Sequence, residues 1–431
     1  MSKNINERDR RLLDPFLNLA LPSPAVSLAF LGSNGGGKFH TDDDGSNNDK
    51  DSDSDSSEEL TFRSSLISRQ TSKAKTRNQI TRQKLMRNRH MISSHKNGDA
   101  LLWDCGRQTK IATITGKGAG MAVKRIEGDQ TLFLYQTRDP SGTVAIHSLD
   151  RVGASHELSV VRTYETYSAT FCQAAPCRGS SHLLALPSRQ ESTAMVVDDR
   201  DPQPIFATSP ISNAGMVTSL AMSMTNSERP ILACGMESGS VIFHDFASGR
   251  SVTRGECHLT RDPILALDLA PSESHGEKST DPQQDSVVAV AGMAGDIVEV
   301  AELPQDVQGR VALLKATVTS SDDTDLSSWK IRTRARLSTC RVDEETSFGK
   351  PGVAICRFRP HDARIFAVGG WDNRVRLFDR SKGTPMGILR GHAGSVNALD
   401  WAPDAANSGL LATAGGEDSC ISFWQCFGKD T

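Results

Sequence analysis

A short strand-like segment recurs seven times along this chain of 431 residues. The copies are Asp99–Asp104, Gly142–His147, Ala194–Asp198, Gly239–Asp245, Gly295–Val300, Asp372–Asp379 and Asp418–Trp424. From Trp103 to Trp424 their mean spacing is about 53 residues. Each alternates in and out, as a strand does when one face packs on a neighbouring sheet. Before most of them runs an alanine- and glycine-rich apolar strand, such as Ile231–Gly235, Val287–Gly292, Ile365–Gly370 or Leu410–Gly415. Small residues suit the crowded region near a central axis. Before that comes another strand, such as Val217–Ala221, Ile264–Asp268 or Val396–Trp401. Three strands and a fourth leading into the next unit make one blade of a propeller. The expected fold is therefore all-β, a seven-bladed propeller. The third unit, Ser181–Val197, fits the repeat loosely and leaves its limits open.

The last unit places Gly391-His392 ahead of Asp418 and Trp424. Such a His, Asp and Trp can form a buried hydrogen-bond chain that locks turns to sheet, provided every member is satisfied. His392, Asp418 and Trp424 are read as that structural network. No Ser or Cys nucleophile motif accompanies them, so they are not read as a catalytic pair. The chain stops soon after the third strand of this unit. Phe16–Leu21 is expected to supply the missing outer strand and close the ring, which removes two exposed edges. This divides the chain into a flexible 1–15 and a propeller over 16–431.

Seven units of roughly 45 residues leave more than 100 residues over. The largest share falls in an insertion at 33–88 within blade one. Its first half carries acids from Asp42 to Glu59, and its second half carries bases from Arg63 to Arg87. Low hydrophobicity and separated charge blocks predict disorder, with a short helix near 74–88. The basic run 73–89 reads equally as a solvated arm or a nuclear-import signal. It lacks interleaved aromatics, so base stacking is unsupported. Ser52 and Ser56 each precede an acid by three residues, a pattern that acid-directed kinases favour. Gly32–Lys38 spells G-x-x-x-x-G-K, but Phe39 stands where a P-loop needs Ser or Thr, and Asp42–Asp44 would repel phosphate. The stretch 301–350 either is a long loop or hides an eighth blade around Ser328–Arg332; its thin apolar content favours the loop.

The balance of 49 basic and 52 acidic residues argues against a general nucleic-acid binder. Nine scattered cysteines, none in C-x-x-C, read as reduced thiols rather than disulfides or a zinc site. Cys172 and Cys177 are the nearest pair, and no His or Cys stands at ligand spacing from them. The charged N-terminus lacks an apolar core for a signal peptide, and no run of 18 apolar residues spans a membrane. No catalytic, cofactor-binding or metal-binding residue is expected.

From Phe358 to Trp424, above all in Val368-Gly-Gly-Trp371-Asp372-Asn-Arg374-Val-Arg and Asp418-Ser-Cys-Ile-Ser-Phe-Trp424, the chain resembles a family of WD-repeat proteins. This is the family of the guanine nucleotide-binding protein beta-subunit-like protein 1 of animals and the ASTRA-associated protein 1 of fungi. Leu19–Phe30 resembles the family's start, and Gly349–Ala354 is similar to another of its segments. The 33–88 insertion departs from the pattern, and Asn373 stands where a His is usual. The resemblance implies a WD40 propeller acting as a non-enzymatic scaffold in nucleus and cytoplasm. Its implied partners are ASTRA-like or co-chaperone subunits that serve phosphatidylinositol 3-kinase-like kinases, with links to chromatin. Residues 1–15 lack the heptads of a coiled coil, so no G-gamma subunit is expected. Trp371, in a turn before a strand, is the first candidate for partner binding, with Asp372 and Arg374 beside it. The alternatives are a chromatin- or RNA-binding protein acting through 73–89 and a nucleotide-binding enzyme using Gly32–Lys38.

Overall fold

The computed structural model describes residues 11–31, 86–253, 262–271, 287–303, 330–336 and 352–427, apart from single positions and short turns within those ranges. Residues 32–85 lie outside them. That stretch holds the Gly32–Lys38 loop, Ser52, Ser56, most of the basic run and most of the expected insertion.

Seven four-stranded blades follow one another. Blade one is Ala25–Leu31, His90–His95, Asp99–Asp104 and Thr109–Thr115. Blade two is Ala119–Arg125, Leu132–Arg138, Thr143–Val152 and Ser155–Glu165. Blade three is Ala175–Arg178, Leu183–Pro187, Ala194–Asp198 and Pro204–Ala207. Blade four is Val217–Met224, Pro230–Met236, Val241–Asp245 and Arg250–Thr253. Blade five is Ile264–Pro271, Val287–Met293, Ile297–Leu303 and Lys330–Arg336. Blade six is Val353–Phe358, Ile365–Gly370, Arg374–Asp379 and Pro385–Arg390. Blade seven is Val396–Trp401, Leu410–Gly415, Cys420–Gln425 and, from the other end of the chain, Leu17–Ala20.

All seven recurring segments are the third strands of their blades. The alanine-glycine strands are second in each blade, not innermost. In blades six and seven, Ile365–Gly370 and Leu410–Gly415 are buried at every position because neighbouring blades close over them. The stretch 301–350 contains no extra blade among the described residues. Lys330–Arg336 is instead the outer strand of blade five, paired antiparallel with Ile297–Leu303.

Leu17–Ala20 pairs antiparallel with the third strand of blade seven, Leu17 opposite Phe423 and Ala20 opposite Cys420. The expectation of a flexible 1–15 is corrected in part. Arg11–Leu13 runs parallel to the outer strand of blade six, with Arg11 opposite Gly387 and Leu13 opposite Leu389. Two successive strands near the N-terminus thus grip two successive blades. The basic run also ends earlier than expected. Arg89 is buried, its amide bonds to the Met86 carbonyl, and Met86 itself packs into the core of blade one.

The core is a set of wedges between blades rather than one centre. One wedge joins Leu19, Leu21, Ile421 and Phe423 of blade seven to Phe30 and Trp103 of blade one. Another joins Leu377 and Leu389 of blade six to Trp401 and Trp424 of blade seven. Each blade therefore needs its neighbours, and closure stabilises every blade. Polar stitches cross the same seams. The Phe30 amide donates to Asp400 at 2.7 Å, and the Phe358 amide donates to Asp268 at 2.7 Å. Gln136 of blade two bonds the Cys172 carbonyl and the Ala174 amide that lead into blade three.

Candidate functional site

The His392–Asp418–Trp424 network runs through a fourth residue, Thr413. The Trp424 indole N–H donates to Thr413 Oγ1 at 2.7 Å. Thr413 then has its hydroxyl proton left for His392 Nε2, also at 2.7 Å. His392 Nδ1 faces Asp418 Oδ2, and the other Asp418 oxygen accepts the Ala393 amide at 2.7 Å. Each donor has one acceptor, so the imidazole carries its proton on Nδ1. All four side chains are buried.

Blade one repeats this wiring with different residues. Trp103 Nε1 donates to Ser93 Oγ at 3.0 Å, Ser93 Oγ lies 2.9 Å from His95 Nε2, and His95 Nδ1 lies 3.0 Å from Ser23 Oγ. The His sits at the end of the second strand, and Ser23 takes the place of the acid. Burial holds the His95 pKa below its ordinary value, so the ring stays neutral. Both chains are built as structural relays: the Ser93 and Thr413 hydroxyls are fully buried, each held between an indole N–H and a ring nitrogen, and both nitrogens of each imidazole are engaged.

Of the partner-binding candidates, Trp371 is 39% exposed. Its ring lies on Gly352, where a Cβ would come within 2.3 Å of Cε3. Its amide donates to the Gly352 carbonyl at 2.9 Å. Asn373, next in the turn but one, has φ +65°, a conformation that Asn tolerates, and its Nδ2 donates to the Ala393 carbonyl at 2.9 Å. Asp372 is not available to a partner. It is buried in the blade and takes both terminal nitrogens of the fully buried Arg376, at 2.9 and 2.6 Å. Arg374 is half-buried at the start of its strand.

Trp371 marks one face of the disc, called the upper face here. The connections from each outer strand to the next inner strand lie on it. Eight large apolar side chains are more than a third exposed among the described residues. Val160, Val161, Ile205 and Met386 sit on outer strands. The other four, Tyr167, Phe171, Leu265 and Trp371, are all on the upper face, in connections, turns or at the head of an inner strand. Phe171 is 75% exposed, with the Arg138 guanidinium stacked 3.9 Å above its ring. Phe171 and Leu265 flank the mouth of the axial channel, above a cavity of about 80 Å³.

The channel holds a layer of charge that sequence inspection missed. Six of the seven inner strands have a bulge near their start, which fixes their common register. Two residues past it stand Ala29, Lys124, Ala221, Asp268, Arg357 and Asp400. Only an alignment of the inner strands on one another reveals this layer. Lys124 and Arg357, with Leu220 and Leu267, line both the upper cavity and a lower one of about 100 Å³, so they form the waist between them. Burial, with the nearby Arg357 charge adding to it, lowers the Lys124 pKa to about 7. Burial also raises the Asp400 pKa.

The ordinary lysine pKa is about 10.4. The unfolded chain therefore keeps the Lys124 proton over a range where the folded chain loses it. Its stability penalty is full below pH 7 and fades as pH rises from about 7 to about 10. Lys124→Met is expected to stabilise the ring by on the order of 1–3 kcal/mol at neutral pH and below, and by progressively less toward pH 10. Asp268 keeps Arg178 at 3.1 Å in that variant, so no acid is orphaned. Urea unfolding of both proteins across this range measures the difference. A gain that is flat with pH would mean that Lys124 does not titrate there.

Two groups among the described residues carry side chains of metal-ligand type. Cys172 and Cys177 are buried and their thiols are pushed up to about 12 by burial, the opposite of what a thiolate ligand needs. His182, Asp198 and Asp199 cluster on blade three. Arg200, however, binds both Asp198 oxygens at 2.8 and 2.6 Å and holds that carboxyl down at about 2.

Comparison with known proteins gives four findings. The family described as "WD domain, G-beta repeat" matches residues 383–425, which span the outer strand of blade six and most of blade seven. The chain is 25% identical over 352 residues to the guanine nucleotide-binding protein subunit beta-like protein 1 of Mus musculus, covering 78% of this chain and 87% of that one. A local match of 39% over 56 residues, 13% of this chain and 11% of the other, relates it to ribosome assembly protein 4 of Chaetomium thermophilum. Among solved structures, the Cps50 (Swd1) β-propeller domain of Myceliophteria thermophila superposes with TM-score 0.54 at 15% identity, over 78% of this chain and 94% of that domain.

Proposed function

The chain is a WD-repeat protein folded as a seven-bladed β-propeller, and from that premise we propose that it is a non-catalytic scaffold holding a protein partner on its upper face. One observation carries this reading. Every strongly exposed large apolar side chain that is not on an outer strand, among the described residues, lies on that face. Aromatic anchors ringed by polar residues are where interface energy concentrates. The histidines of blades one and seven, whose ring nitrogens are engaged in buried relays, and the inert thiols support a binding role over catalysis.

The partner class to test first follows from the sequence resemblance: subunits of an ASTRA-like or co-chaperone assembly serving phosphatidylinositol 3-kinase-like kinases, in nucleus and cytoplasm, with a link to chromatin regulation. The test is affinity purification of the tagged protein from its own cells with quantitative mass spectrometry. The intact chain, Phe171→Ala, Trp371→Ala and a 33–84 deletion that keeps the buried Met86 are compared. Recovery of that machinery is expected to fall about tenfold in each aromatic variant, as for a hot-spot residue, and to persist in the deletion. Phe171 is the safer probe, because Trp371 also packs on Gly352. Equal recovery from the aromatic variants with loss in the deletion would move the binding site to the insertion. Absence of this machinery from every sample would remove the proposed assembly.

A further inference from the structure

The lower half of the axial channel is lined by more cation than the protein uses. Arg125 at the end of the inner strand of blade two and Arg178 at the end of that of blade three face this cavity, under the waist formed by Lys124 and Arg357. Three acids also line it, and each is already engaged. Asp268 accepts the Phe358 amide and Arg178 Nη2 on one oxygen. Asp400 accepts the Phe30 amide, and burial favours its neutral form. Glu127 accepts the Gly179 amide at 2.8 Å and stands 3.8 Å from Arg125, too far for a hydrogen bond. Two guanidinium nitrogens, Arg125 Nε and Arg178 Nη1, are buried with no acceptor.

A buried charged donor without an acceptor is costly. Their side chains, on separate blades, both line one cavity of about 100 Å³, which can hold an acceptor that the protein does not itself provide. We propose that the lower channel binds a phosphate-type oxyanion, held by Arg125 and Arg178 beneath Lys124 and Arg357. A tetrahedral anion has several acceptor oxygens, so it can answer guanidinium donors from two sides, and it offsets the surplus positive charge of the lining. Binding would tie blades two, three and six together across the axis. The anion would therefore also stabilise the ring. This proposal is independent of the upper face, since no residue of one is required by the other.

Calorimetric titration of the full-length protein with inorganic phosphate, and separately with pyrophosphate, tests it against sodium chloride of matched ionic strength. Saturable one-site binding is expected, with a rise in melting temperature that chloride does not reproduce. Arg125→Gln and Arg178→Lys are expected to weaken it about tenfold each, the effect of losing one hydrogen bond to a charged group. Arg178→Lys keeps a cation for Asp268, and Arg125 lacks a short ion pair, so both variants should melt near the parent without phosphate. Binding of phosphate but not pyrophosphate would mean the site takes the free ion; binding of both would mean it admits the terminal phosphate of a larger molecule. No saturable heat with either anion would show that water alone fills the cavity. Unchanged affinity in two well-folded variants would place the anion elsewhere. Either result overturns the proposal.

Discussion

Deleting residues 1–22 is expected to cost on the order of 3–5 kcal/mol of stability, and on the order of 10 °C in melting temperature if the protein still folds. The deletion removes Leu17–Ala20 from the edge of blade seven and Arg11–Leu13 from the edge of blade six. Leu19 and Leu21 are buried in the wedge between blades seven and one, and each such leucine contributes about 1.5–3 kcal/mol. The Leu21 amide also bonds the Ser419 carbonyl at 2.8 Å, which anchors the turn carrying Asp418. Without these strands the third strand of blade seven becomes a free edge beside Trp424, and an exposed apolar edge aggregates. Graded deletions read out the two strands separately by thermal melting. Removing 1–10 should change little, removing 1–14 should cost the blade-six pairing alone, and removing 1–22 should give the large loss. A melting curve unaltered by the last deletion would mean that the ring closes without its N-terminal strands.

The parts of this fold that were legible in the sequence share a cause. Third strands are short, largely apolar runs that follow a turn residue, buried at successive positions rather than alternately, and all seven could be found, even the loosely matching Ala194–Asp198. The closing strand was visible because Phe16–Leu21 leads into Ala25–Phe30 as Gly387–His392 leads into Val396–Trp401. What stayed hidden depends on pairing between distant strands. Thr413 carries no motif by itself; it matters because the second strand of blade seven sets it between His392 and Trp424. The blade-one relay was masked because His95 replaces the usual Gly-His position and Ser23 replaces the acid. Lys124, Asp268, Arg357 and Asp400 lie in one layer only once the bulges set their register. Arg11–Leu13 carries no signal in the sequence because three residues show no periodicity. Their partner, Pro385–Arg390, lies at the far end of the sequence.

Asp372 shows how the same residue can be read as a contact or as a support, and a pair of substitutions separates the two. Arg376 is 0% exposed, and its guanidinium finds two of its acceptors on Asp372. Asp372→Ala leaves that cation buried beside Gly370 with its fork unmatched, which is expected to cost about 3–5 kcal/mol. Replacing both members, Asp372→Ala with Arg376→Met, removes the cation and refills its volume with an apolar chain. That double variant is expected to recover most of the loss, since a buried ion pair exchanged for apolar packing is often near neutral. Chemical unfolding of the single and double variants measures both, and the coupling between them should exceed about 1.5 kcal/mol. The comparison then decides how partner binding is interpreted. Trp371 precedes Asp372 in the same turn, so Asp372→Ala will disturb the indole by disturbing the blade. Partner recovery that falls in Asp372→Ala and returns in the double variant would assign Asp372 to the support of Trp371. Recovery that stays low in a stable double variant would assign a direct contact to Asp372, and the buried position of its carboxylate would then have to open on binding.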